Sequence, residues 1–369
     1  MTRTPSPVPP PPPPAAARDS FVFTPFAGRV IFGSGTRHRL PAELARAGIA
    51  RAMVLTTPNQ AALGQQVVAQ LGPVAAGLFA GAAMHTPVDV TASALEAVRA
   101  AGVDGLVAIG GGSTIGLAKA VALRTGLPQV ALPTTYAGSE MTPILGETEN
   151  GLKTTRSDPG IQPATVIYDV ALTLGLPVGM SVTSGLNAMA HAVEALYAAD
   201  GNPVVDALAL QGIGALTAAL PRLRARADDA QGRRDALRGA WLCGTCLGAV
   251  GMGLHHKLCH TLGGSFGLPH AETHSVILPH ALAYNAPAIG PVMDRLRPIL
   301  GDDPARGLQR LARDLGAPVA LRDLGMPQDG LDRAADLAMT ARYPNPRPLD
   351  RDAIRRMLDR AWRGDPVQG

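Results

Sequence analysis

Between Gly28 and Asp169 the chain repeats one pattern, a short apolar run, a turn and then a stretch with helical periodicity, and this constrains the fold more than any other feature. The apolar runs are Gly28–Gly35, Arg51–Thr57, Ala75–Ala80, Gly105–Ile109, Val130–Pro133 and Thr165–Asp169, with helical stretches at Leu40–Ala47, Ala61–Leu71, Val90–Ala101 and Thr114–Thr125. Runs this short and apolar on both faces fit a parallel, doubly wound sheet with helices on either side. After Leu172 the strands cease. Ser181–Ala198, Pro203–Leu220, Ala227–Val250, Leu254–Leu262, Ala305–Asp314, Asp332–Met339 and Asp350–Ala361 all read as helices. The expected organisation is an α/β, Rossmann-like domain over 21–175 and an all-helical domain over 176–369. A leader over 1–20 precedes them; its six consecutive prolines, Pro9 to Pro14, exclude helix and central strand.

The strand ending at Ile109 runs into Gly110-Gly111-Gly112-Ser113 and then a helix. Glycines let a backbone approach a phosphate closely, and the free N–H groups of a helix start point at the anion. The pattern is neither GxGxxG nor a P-loop. The next strand leads into Thr134-Thr135-Tyr136-Ala137-Gly138-Ser139-Glu140, with hydroxyls and a glycine at the carboxyl edge of the sheet, where a nucleotide lies in such folds. Gly110, Gly111, Gly112, Ser113, Thr134, Thr135 and Ser139 are therefore the expected dinucleotide contacts. Lys153, after an Asn150-Gly151 turn, is a candidate for holding ribose or a carboxylate.

Gly253–His280 holds six of the nine histidines: His255, His256, His260, His270, His274 and His280. His256 and His260 stand at i, i+4 and share a helix face. Leu262-Gly263-Gly264 reads as a break, after which a second segment returns His270 to the pair. Asn187 and His191 are likewise i, i+4, on a helix that Ser184 can cap. Imidazoles converging in this way serve as metal ligands, or as acid, base and anion-binding groups. The active site is expected in the cleft between the two domains.

Composition narrows the function. Aromatics are 4% and the net charge is +4, with no Lys/Arg run carrying interleaved aromatics, which argues against nucleic-acid binding. Three cysteines and no secretory signal point to a reducing cytoplasm, and the Cys243-Gly-Thr-Cys246 pair reads as helix packing. No uninterrupted apolar run is expected to span a membrane.

The glycine run, the Thr134–Glu140 stretch, the Asn187/His191 helix, His256 and His270 together resemble the iron-containing, or group III, alcohol dehydrogenases. Lys153-Thr154-Thr155, Trp241–Gly248, His255–His260, Pro269–His274 and Asn345-Pro346-Arg347-Pro348 are similar, more closely, to the maleylacetate reductases within that superfamily. The resemblance covers Phe21 to the C-terminus. It implies the dehydroquinate synthase-like fold of that superfamily, a homodimer, and reduction of the C=C bond of maleylacetate to 3-oxoadipate in aerobic aromatic-compound degradation. It implies NADH or NADPH as donor. An acidic residue that meets the ribose 2′-hydroxyl in related dehydrogenases is missing from Leu55-Thr56-Thr57-Pro58, so Thr57 is expected to accept either cofactor. His191, His256, His260 and His270 are implied as catalytic. Asn187, Lys153, Arg156 and His255 are implied as contacts to the dicarboxylate enone. In the iron-containing relatives an aspartate stands at position 187 and joins three histidines at the metal. Here His191, His256 and His270 remain beside Asn187, and the expectation is an enzyme without a metal. The alternative is an iron- or zinc-dependent alcohol dehydrogenase using those three histidines.

Overall fold

The computed structural model describes residues 21, 23, 28–149, 152–340 and 343–368, leaving the side chains of Leu152 and Lys153 outside that description. The proline-rich leader and the Asn150-Gly151 turn also lie outside the described residues.

The first half alternates as its sequence pattern requires: β1 (Arg29–Gly33), α1 (Leu40–Arg46), β2 (Ala52–Leu55), α2 (Ala61–Leu71), β3 (Ala75–Phe79), α3 (Val88–Ala101), β4 (Gly105–Gly110), α4 (Gly112–Thr125) and β5 (Gln129–Pro133). A hairpin of β6 (Ile144–Glu149) and β7 (Leu152–Ser157) precedes β8 (Thr165–Asp169). Six strands form one parallel sheet in the order β1-β8-β5-β4-β2-β3. Along β4 the side chains alternate between two cores. Leu106 and Ala108 join the layer that continues into the helical half, while Val107 and Ile109 join the layer under α1 and α2. That two-sided burial is why these runs carry no polar face.

Two details differ from expectation. The antiparallel β6–β7 hairpin lies apart from the main sheet, and a polar, β-branched stretch such as Lys153-Thr154-Thr155 forms one of its strands. Helix α4 begins at Gly112, so Gly112 and Ser113 occupy its first turn instead of a loop before it.

The second half is helical: α5 (Val178–Ala195), α6 (Pro203–Ala225), α7 (Ala230–Ala249), α8 (Leu254–Phe266), α9 (His270–Asn285), α10 (Gly290–Leu300), α11 (Pro304–Asp314), α12 (Gly330–Met339) and α13 (Arg351–Arg363). Ser184 does not cap α5. The helix starts at Val178, and Ser184 Oγ donates to the carbonyl of Met180 from the helix interior. Gly263-Gly264 does not break α8 either. The helix runs on to Gly267, which adopts φ 69°, donates its N–H to Gly263 O and closes the last turn in a left-handed cap. Helix α6 is long and apolar enough to cross a membrane by length and composition alone, although Asp206 and Gln211 interrupt its apolar run. Its buried residues Val205, Ala209, Gly212, Ile213, Leu216, Leu220 and Leu223 recur at helical spacing and make one core-facing stripe.

Two contacts fix the halves against each other. Arg233 on α7 is fully buried, and its guanidinium donates to Ala227 O, Ser181 Oγ, Leu176 O and Tyr136 Oη. Gly138, at φ +83°, lies against Gly244 of α7 so closely that a Cβ on Gly244 would sit 2.9 Å from Gly138 Cα. Only paired glycines allow the Ala137–Ser139 loop to reach the helical half at this distance.

Candidate active site

A cavity of about 580 Å³ opens between the two halves. Gly112, Ser113, Thr135 and Ser139 line it from the carboxyl edge of the sheet, and Asn187, His191, His256, His260 and His270 line it from the helices.

Asn187, His191 and Glu194 occupy one face of α5, and all three are buried. His191 and Glu194 belong to one hydrogen-bonded chain. His191 Nε2 lies 3.2 Å from the carbonyl oxygen of Ala137, and His191 Nδ1 lies 2.8 Å from His256 Nε2. His256 Nδ1 lies 2.5 Å from Glu194 Oε2, and Glu194 also accepts the backbone N–H groups of His255 and His256. A carbonyl only accepts, so His191 carries its proton on Nε2. Burial, with the neighbouring His256, pushes His191 down to about 3, so it is neutral and its Nδ1 accepts from His256. His256 Nε2 faces His191 and its Nδ1 faces the Glu194 carboxylate, so a path for a proton runs from Glu194 through His256 to the cavity wall.

His260 and His270 stand beside this chain, half-buried, with ring centroids 6.3 Å apart and the His260 ring 6.2 Å from that of His256. His255 is a correction. It is buried behind the cavity wall, where its Nε2 lies 2.8 Å from His274 Nδ1, and it does not line the cavity. The i, i+4 spacing put His256 and His260 on the cavity face and turned His255 with Cys259 toward α9. Arg156 is a second correction. On β7, Thr155 lines the cavity, and strand alternation sends exposed Arg156 to the opposite face. Thr57, Gly110, Gly111 and Thr134 stand at the strand ends but outside the cavity lining, and Thr134 Oγ1 accepts from Gln60 Nε2. The side chain of Lys153 lies outside the described residues.

Three features escaped the sequence reading. Glu194 was visible as a carboxylate three residues past His191 on an apolar helix. Lys119 on α4 is fully buried, and its Nζ donates to Ser139 O, Thr142 Oγ1 and Ile144 O, which pins the Ser139 loop at the cavity. Burial pulls this ammonium down to about 7, while Glu140 holds it up. A lone lysine inside the apolar run of α4 was its only signal. His85 and Thr86 also line the cavity with left-handed φ of 64° and 49°, an unfavourable conformation for a β-branched residue. Gly116 makes room for Thr86, since a Cβ there would lie 2.4 Å from Thr86 Oγ1.

Two family profiles match the chain, "Iron-containing alcohol dehydrogenase" over residues 27–170 and "Fe-containing alcohol dehydrogenase family, C-terminal" over residues 181–362. A maleylacetate reductase from Rhizobium sp. is 55% identical over 93% of this chain and 98% of its own length. One from Burkholderia cepacia is 56% identical over 94% of this chain and 99% of its own. The crystal structure of maleylacetate reductase from Agrobacterium tumefaciens superposes with a TM-score of 0.91 at 53% identity, covering 94% of this chain and 99% of that one. The chain belongs to the maleylacetate reductases of the iron-containing alcohol dehydrogenase family.

The family name raises two fits. A dinucleotide fits the sheet edge: Gly112 and Ser113, in the first turn of α4, line the cavity beside Thr135 and Ser139, so the helix start and two hydroxyls face the same space. An iron or zinc ion does not fit the cavity histidines as arranged. Both ring nitrogens of His191 and both of His256 are engaged in hydrogen bonds, and position 187 offers a neutral amide and no carboxylate. Among the described residues the donor atoms that cluster within 4.8 Å are those of His255, Cys259 and His274, behind the cavity.

Proposed function

We propose that this chain reduces the carbon–carbon double bond of maleylacetate to give 3-oxoadipate, using NADH or NADPH and no metal ion. The observation that carries the reading is the likeness to maleylacetate reductases at over half identity along nearly the whole chain. The bound dinucleotide supplies a hydride. The substrate is an enone between two carboxylates, so hydride at carbon leaves negative charge on the ketone oxygen. His260 and His270 present imidazoles to that space and stabilise the charge. The His256–Glu194 pair relays the proton that completes the reduction at carbon, with His191 fixed in its tautomer by Ala137 O. Asn187 orients the substrate with its amide. Lys153 keeps its assignment to ribose or a substrate carboxylate. In this reading the enzyme is a cytoplasmic homodimer serving the late steps of aromatic-compound breakdown, with boundaries near residue 175 between its cofactor and helical domains.

The test is a substrate panel on purified protein. NADH or NADPH oxidation with maleylacetate, and no NAD reduction with simple primary alcohols, is the expected result. Turnover of alcohols without turnover of maleylacetate assigns the site to a C–O centre instead.

A further inference from the structure

We propose that a second cavity, at the far end of α9 from the active site, binds a small dianionic oxyanion. Its volume is about 180 Å³, and its walls carry Tyr284 and three guanidinium groups, those of Arg347, Arg356 and Arg360, with no carboxylate among the described residues. It lies fourteen residues along α9 from His270, or about 21 Å at the rise of a helix, so it is separate from the catalytic cleft.

The other arginines of α13 are neutralised. Arg351 pairs with Asp332 and Asp336, Arg355 with Asp332 and Asp359, and Arg363 with Asp359. Arg356 and Arg360 have no ion-pair partner among the described residues, although they stand one turn apart on the same helix, an arrangement that is destabilising without a counter-charge. Arg360 Nε is buried and makes no hydrogen bond. A buried donor of that kind calls for a partner. The third guanidinium is held in place: Arg347 stacks 4.3 Å over the Tyr284 ring and donates to Tyr284 O at 2.8 Å. Tyr284 in turn is fixed by Pro348 O and the Asp350 N–H. Three guanidinium forks around one small cavity, one of them held in place, suit a phosphate or a short dicarboxylate, whose oxygens accept paired N–H donors. The cavity is too small for a dinucleotide.

The experiment titrates the full chain by calorimetry with inorganic phosphate and, separately, with succinate, at constant ionic strength. The Arg356→Gln/Arg360→Gln double variant and the single Arg356→Gln variant, at an exposed position, run alongside. The expected result is saturable binding of at least one probe with Kd below about 1 mM, weakened roughly tenfold or more in the double variant. Activity of the variants without added anion stays at the parent level. A response to phosphate alone assigns phosphorylated ligands, and a response to succinate alone assigns dicarboxylates. No saturable response to either probe, or an equal response in the double variant, overturns the proposal. Succinate binding confined to the active site produces that second outcome.

Discussion

Glu194 anchors the hydrogen-bonded chain of cavity imidazoles. It is 1% exposed, accepts from His256 Nδ1 and ties down two backbone N–H groups at the start of α8. An amide at this position cannot share a proton with imidazole in the same way. Glu194→Gln is expected to lower kcat by about 10²-fold or more with a smaller change in KM, and to shift the pH profile of kcat. Glu194→Asp recovers part of the loss. A Glu194→Gln enzyme with parental kcat and an unmoved pH profile would reduce Glu194 to a helix-packing residue. At this scale the sequence was partly legible. Asn187, His191, His256, His260 and His270 stood out because polar groups at helical spacing on an apolar face must meet partners. His255 did not reveal its direction, because adjacent histidines on a helix point about 100° apart and nothing local says which faces the cleft. Arg156 was misassigned because its strand was not anticipated, and without the strand its alternation could not be applied.

At the scale of elements, the site depends on how closely α7 meets the Ala137–Ser139 loop. That loop supplies the carbonyl that fixes the His191 tautomer. Gly244→Val would push backbone against backbone at Gly138, costing about 1–3 kcal/mol. It should also withdraw Ala137 O from His191. The expected outcome is a lower Tm together with a fall in kcat/KM, read by thermal unfolding and steady-state kinetics. Parental values for both would show that the close approach is incidental. The alternating half of the fold was readable because short apolar runs and helix periods are local signals. The termini of α5 and α8 were misread for a tertiary reason. Gly263 and Leu262 are buried against their neighbours, and burial keeps a Gly-Gly pair helical until the left-handed Gly267 ends the turn. Helix α9 carries Pro279 in its interior and polar residues on several sides, so its periodicity was masked.

For the whole molecule, burial of neutral histidines sets the acid limit. Desolvation, with Arg360 nearby, lowers His280 from 6.5 to about 4, and desolvation drives His255 and His274 well down as well. A depressed histidine binds fewer protons folded than unfolded. Its contribution is therefore complete above pH 6.5 and is lost as pH falls from 6.5 toward 4, by up to about 1.4 kcal/mol per pH unit for each group. Urea unfolding at pH 7 and pH 5 should show the drop, and His280→Phe should flatten part of it; equal stability at the two pH values would contradict the assignment. The central claim is that imidazoles and one carboxylate, without a metal, carry the reduction of an activated double bond. Its most direct test is the turnover of maleylacetate with NADH before and after exhaustive chelation, with elemental analysis of the same samples. Unchanged turnover in protein free of iron and zinc is the expected result. Loss of turnover on chelation, restored by returning a stoichiometric metal, would contradict it.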